Sequence, residues 1–245
     1  MPYRRLPNTD LARIRALECA VEKEQKYGVR ELAITYKIIN EAKSFLVRFK
    51  KAQAIYQQCY DEQVKASKKY QGQMKMARLY ISHFIQVLNM AVIRRELKKE
   101  VKTIYGLDPD NHSVPDLSAE SALVEWGGKI IGGETERIKK GGVPIYNPTI
   151  AKVSVHYEIF KEAYFYQKNY QQSTNRNLEQ LAGMRDEADA LILEIWNQVE
   201  EKFNELPSQV KMEKCMDYGV IYYFRKKEKE MLRQARLQQK FSFDD

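Results

Sequence analysis

Three histidines, three cysteines and scattered carboxylates are the groups from which this chain could build a metal, nucleophilic or acid–base site. His83, His112 and His156 stand far apart, and none has a second histidine or a carboxylate three or four residues away on an evident metal face. The Glu-x-x-His pairs with which di-iron bundles hold their metals are absent. Cys19, Cys59 and Cys215 form no Cys-x-x-Cys spacing and read as free, mostly buried thiols. No Gly-x-Ser-x-Gly elbow presents a nucleophile. The expectation is a protein with no catalytic residues, no metal and no cofactor.

The segment Trp126-Gly127-Gly128-Lys129-Ile130-Ile131-Gly132-Gly133-Glu134 invites comparison with a phosphate loop. Such a loop needs Ser or Thr after Gly-Lys and a strand before it, whereas Ile130 follows Lys129 here and no strand precedes. The preferred reading is a helix whose glycines let a neighbour approach closely, at about 1 kcal/mol each relative to Ala. Glu125, Glu134 and Glu136 gather near Lys129 and Arg137. Carboxylates work as acid and base only in a cleft that shifts their pKa, so these are read as charged surface.

Basic residues form the denser pattern. Lys50, Lys51, Lys68, Lys69, Arg94, Arg95, Lys98, Lys99 and Lys102 make a candidate anion or nucleic-acid face. Asp61, Glu62, Glu96 and Glu100 interrupt it, and a solvated helix face is the preferred reading. Of 41 Lys/Arg and 33 Asp/Glu, residues 1–105 hold 22 against 10 and residues 106–205 hold 10 against 17. Opposite charge in the two halves could draw copies together or steer an anionic partner. A candidate binding surface is placed at Trp126 with Tyr222 and Tyr223, large apolar faces with one polar tip.

The elements that carry these groups read as helices. Gly (11) and Pro (7) are too sparse for the turns of an all-β fold. Apolar stripes at helical spacing run Leu11, Ile14, Leu17, Val21, then Leu32 to Tyr56, then Ala77 to Val92. Asn8 or Thr9 can cap the first helix, and Gly28 allows a break. The polar stretch 57–73 is read as a hairpin turning near Gly72, with one unbroken helix as the alternative. A connector with Pro109, Pro115 and three Asp follows, and then the programme starts again. Leu123, Trp126 and Ile130 mark a short helix ending at Gly141-Gly142. Asn147-Pro148 marks a helix start carrying Ile150, Val153, Tyr157, Phe160 and Tyr164. The polar stretch 167–177 precedes a last stripe from Leu181 to Phe203. Ala77, Ile81, Phe84, Ile85 and Leu88 fall on Ala188, Ile192, Ile195, Trp196 and Val199, 111 residues on, while Phe45, Leu46, Phe49 and Tyr56 match Ile159, Phe160, Ala163 and Tyr170, 114 residues on.

The reading is therefore an all-α fold: an elongated antiparallel helical bundle of two repeated units, with a short irregular or β segment at 218–224 and a surface helix in the tail. The divisions are 8–105, a connector at 106–117, 118–205, and a C-terminal extension at 206–245. The opening MPYRRLPNTDLARIRALE has no apolar h-region and no long apolar run occurs, so a cytoplasmic, membrane-free protein is expected.

Trp126-Gly127 with Ile130-Ile131, Gly141-Gly142-Val143-Pro144 leading to Asn147-Pro148-Thr149-Ile150-Ala151, and Tyr218 to Arg225 resemble an uncharacterised bacterial family of helical proteins. That resemblance implies a helical fold and no assigned activity. The functional expectation is a non-catalytic bundle acting through protein–protein contacts or self-association, with a homo-oligomer or a protein partner as the assembly. Nucleic-acid binding through the basic first half is the alternative, and an enzyme with an unrecognised site ranks last.

Overall fold

The computed structural model describes residues 3–26 and 31–225, and over these the chain is mostly helical. The helices are α1 (Asp10–Lys26), α2 (Tyr36–Ile93), α3 (Glu120–Lys139), α4 (Ile150–Gly183), α5 (Arg185–Lys202) and α6 (Ser208–Asp217), with a 3₁₀ segment at Lys99–Tyr105. The fold class is all-α. Strands β1 (Tyr3–Arg4) and β2 (Tyr222–Tyr223) pair antiparallel, with Tyr3 opposite Tyr223. The Gly28 break and the tail helix after Arg225 lie outside the described residues.

Thr9 starts α1: its carbonyl accepts from Ala12 and Arg13, and its Oγ1 accepts from the Ala12 amide at 3.2 Å. At α4 the structure corrects the expected start. Asn147-Pro148 is a cis peptide in a turn bridged from Tyr146 to Thr149, and Thr149 takes the capping place. The hairpin at Gly72 is a second correction. α2 runs unbroken through 57–73, and α4 runs unbroken through 167–177. The stretch 57–73 is rich in Gln and Lys, which lose the apolar face but keep helix propensity, and one glycine costing about 1 kcal/mol does not stop a helix of this length; 167–177, with three Gln and three Asn, is carried by the helix on both sides of it.

The chain forms two compact units, 1–57 with 176–245, and 58–175. Each takes residues from both sides of the connector. Unit 1 buries Leu17 and Ala20 of α1, Ile39, Phe45 and Phe49 of α2, and Ile192, Trp196 and Val199 of α5, with Cys215 and Tyr218. Two bidentate ion pairs fasten it, Arg13 to Asp189 at 2.8 Å and Arg185 to Asp10 at 2.9 Å. Unit 2 buries Ile81, Phe84, Ile85 and Leu88 of α2, Tyr105 of the 3₁₀ segment, Leu123 and Ile130 of α3, and Val153, Tyr157 and Phe160 of α4. An 18-residue window of α2 reaches a mean hydropathy of 1.3, long and apolar enough to cross a membrane, a test that core helices of soluble proteins also pass. α2 contributes to both cores, which accounts for its apolar content.

Candidate functional site

The glycine-rich segment of α3 is a packing surface. The Tyr157 ring occupies the space a Cβ on Gly127 would need, and the Tyr157 hydroxyl donates to the Val124 carbonyl at 2.9 Å. A Cβ on Gly133 would lie 2.7 Å from the Tyr105 ring. Close approach, the preferred reading of these glycines, is the role of Gly127 and Gly133; Gly132 faces open space.

Around them the structure corrects the charged-surface reading for two residues. Glu125 pairs with Lys129 and Glu136 with Lys140 at the surface, as expected. Glu134 and Arg137 are instead buried, because positions 123, 127, 130, 134 and 137 share one face of α3. Arg137 donates to both Glu134 oxygens at 2.8 Å, the Ile145 amide donates at 3.0 Å, and the Tyr105 hydroxyl donates to Glu134 Oε2. Arg137 also donates to the Val143 carbonyl at 2.8 Å. Burial pushes the Glu134 carboxyl up, but the hydrogen bonds from Arg137, Tyr105 and Ile145 outweigh it and hold it below its ordinary value. Burial, then the Glu134 contact, pushes the Tyr105 hydroxyl up. Every strong group here is engaged by another, so the cluster anchors the 143–145 loop to α3 and leaves no group free to react.

The candidate basic face divides. Lys102 is a correction: it is fully buried, and its ammonium donates to the Pro109 and Asn111 carbonyls. Burial lowers its pKa. The 3₁₀ segment turns this side chain inward, where sequence density alone placed it with its neighbours. Lys50 pairs with Glu18, Lys99 with Asp110 and Arg94 with Glu96. Lys51, Lys68, Lys69, Arg95 and Lys98 are exposed. Trp126, in unit 2, is half-buried with the Lys129 ammonium 4.7 Å from its ring centre. In unit 1 the Tyr222 hydroxyl donates to Glu200 at 2.6 Å, and Tyr223 stacks on Tyr3. Among the described residues no three His, Cys, Asp or Glu side chains gather as a metal would need.

A groove in unit 2 is the feature that sequence reasoning missed. There α2 and α4 run antiparallel: Cys59 meets Ser173, Tyr70 stacks on Phe160, and Tyr80 stacks on His156. Between them lies a cleft of about 360 Å³, walled by Ala66, Lys69 and Gln73 on one side and Ile159, Glu162 and Tyr166 on the other. Val155, Ile159, Tyr166 and Tyr170 are 57%, 43%, 57% and 36% exposed, and their spacing puts them on one face of α4. Tyr157, about 200° around the helix from Ile159, faces α3 and the core instead. Gln167 Oε1 in the groove wall is buried without a hydrogen-bond partner among the described residues. Lys69 and Glu162 are exposed, and neither has an ion-pair partner among the described residues. The available signal is a second apolar face on this helix, beside the stripe through Val153, Tyr157 and Phe160. Chemically the groove offers apolar and aromatic contact with one cation and one anion on opposite walls. Its lining residues include no Ser, Cys or His.

No family model, curated protein or solved structure matches the chain.

Proposed function

We propose that this is a non-catalytic helical protein that works through protein–protein contacts, made by the α2–α4 groove of unit 2. The observation that carries this reading is the exposed stripe Val155, Ile159, Tyr166 and Tyr170 beside a cleft of helix-groove form. Apolar and aromatic side chains gathered on one open helix face mark interaction surfaces more than they mark bare solvent-facing helices.

Reading the chain as an internal duplication adds support. The order short helix, long helix occurs twice, as α1 then α2 and as α3 then α4 with α5. Ala77, Ile81, Phe84, Ile85 and Leu88 are buried, and so are their counterparts Ala188, Ile192, Ile195, Trp196 and Val199. At the other offset Leu46 and Phe160 are both buried, and the correspondence fails on one face only. Phe45 is in the core of unit 1, and Ala52 and Tyr56 pack against it, yet Ile159, Tyr166 and Tyr170 are exposed. On this reading, positions that one repeat covers with its own helices are left for a partner in the other.

Nucleic-acid binding has less support, since four of the nine basic candidates are buried or paired with carboxylates. The test is a photo-crosslinking amino acid at position 166, activated in cells expressing the full chain. An intermolecular protein adduct that disappears when the photo-group is moved to exposed Val47 supports the reading; no adduct at 166 contradicts it.

A further inference from the structure

The contact reading leaves open what fills the groove. Lys69 and Glu162 stand on its opposite walls, close to the Tyr70–Phe160 stack and therefore at one level of the antiparallel pair. We propose that the occupant is a second copy of this chain, related to the first by a two-fold axis that runs along the groove. This inference rests on the contact reading above and specifies its partner.

The charges choose the axis. Rotation about a line parallel to the helices lays α4 of one copy over α2 of the other, at unchanged level. Lys69 then meets the partner's Glu162, and Glu162 meets the partner's Lys69, giving two equal pairs in one isologous interface. A two-fold axis across the helices would instead lay α2 on α2 and α4 on α4, setting lysine against lysine and glutamate against glutamate. Side-chain size agrees with the first arrangement. Interpolating between the Cys59–Ser173 and Tyr70–Phe160 contacts puts Tyr166 level with position 65, where the adjacent residue lining the groove is Ala66. The partner's Tyr166 would therefore come down where α2 carries a small side chain, and Ile159 would follow about two turns away. The product is a four-helix arrangement in which every neighbouring pair is antiparallel, the geometry that buries a stripe two helices leave open.

The experiment is sedimentation velocity on the intact protein: wild type, Lys69→Glu, Glu162→Lys, and an equimolar mixture of the two variants. Both positions are exposed, and circular dichroism checks that each variant is folded. Wild type self-associates. Each variant alone sets two like-charge pairs in the interface and associates at least about tenfold more weakly. In the mixture every contact again joins opposite charges, so association returns to the wild-type level. A charge pair within one chain cannot be repaired by mixing. If wild type associates but the mixture does no better than its components, the two-fold groove arrangement is overturned and the contact reading stands. A monomeric wild type that still gives a crosslinked adduct from position 166 overturns the second copy in favour of another protein. A monomeric wild type with no adduct overturns both.

Discussion

Gly133 lies so close beneath Tyr105 that an added Cβ would sit 2.7 Å from the ring and 2.9 Å from the Ile104 carbonyl oxygen. Its neighbour Gly132, about 100° around α3, has nothing within 4 Å of the same position. Adjacent glycines in one helix therefore have opposite roles. Gly132→Ala should stabilise the protein by about 0.5–1 kcal/mol through helix propensity. Gly133→Ala should destabilise it by about 1–3 kcal/mol, because ring and backbone must move apart. Urea denaturation of the two variants reads both signs, and equal effects would show that α3 does not pack as described.

The buried Glu134–Arg137 pair makes stability depend on acid. A carboxyl held below its unfolded value contributes stability that is fully present above the ordinary carboxylate range and is lost as pH falls through the folded value. Unfolding free energy should fall on acidification below about pH 4, and Glu134→Gln should flatten that part of the fall. At neutral pH the same substitution leaves Arg137 buried beside an uncharged amide, and the expected loss is about 3–5 kcal/mol. A variant that unfolds with the wild-type pH profile would contradict the arrangement.

How α2 ends was not legible. The Glu96 amide donates to the Ala91 carbonyl and the Arg95 amide to the Val92 carbonyl, the pattern of a left-handed helix stop, with Arg95 at φ 61°. α3 ends the same way on Gly141, which its sequence advertises. Arginine in this conformation costs about 1–2 kcal/mol relative to glycine, so Arg95→Gly should raise stability by about 1 kcal/mol. Thermal unfolding measures it, and destabilisation would mean that the Arg95 side chain supplies a contact worth more than the strain.

Helix class, the core stripes and the glycine packing were readable because each rests on local spacing. Ile81, Phe84 and Leu88 declare a face whatever they meet. The buried side of Lys102 was not readable, since its partners are backbone carbonyls at Pro109 and Asn111 that no side-chain pattern marks. Glu134 could have been found by placing it on the helix face of Leu123 and Ile130 rather than among its charged neighbours. The groove was hidden for a different reason. Ile159 and Tyr166 carry no sign of exposure in the sequence, and only the placement of α3 on the far side of Tyr157 shows that they are left uncovered.

Sedimentation equilibrium over a range of protein concentrations, comparing wild type with Ile159→Glu and Val47→Glu, tests the contact surface most directly. Both residues are exposed and apolar, but Ile159 lies in the groove and Val47 lies in unit 1. The predicted result is a wild-type mass that rises with concentration, an unchanged rise for Val47→Glu, and a monomer mass throughout for Ile159→Glu. Association that survives Ile159→Glu, or that is lost equally in both variants, would contradict the assignment of this groove as the surface through which the protein acts.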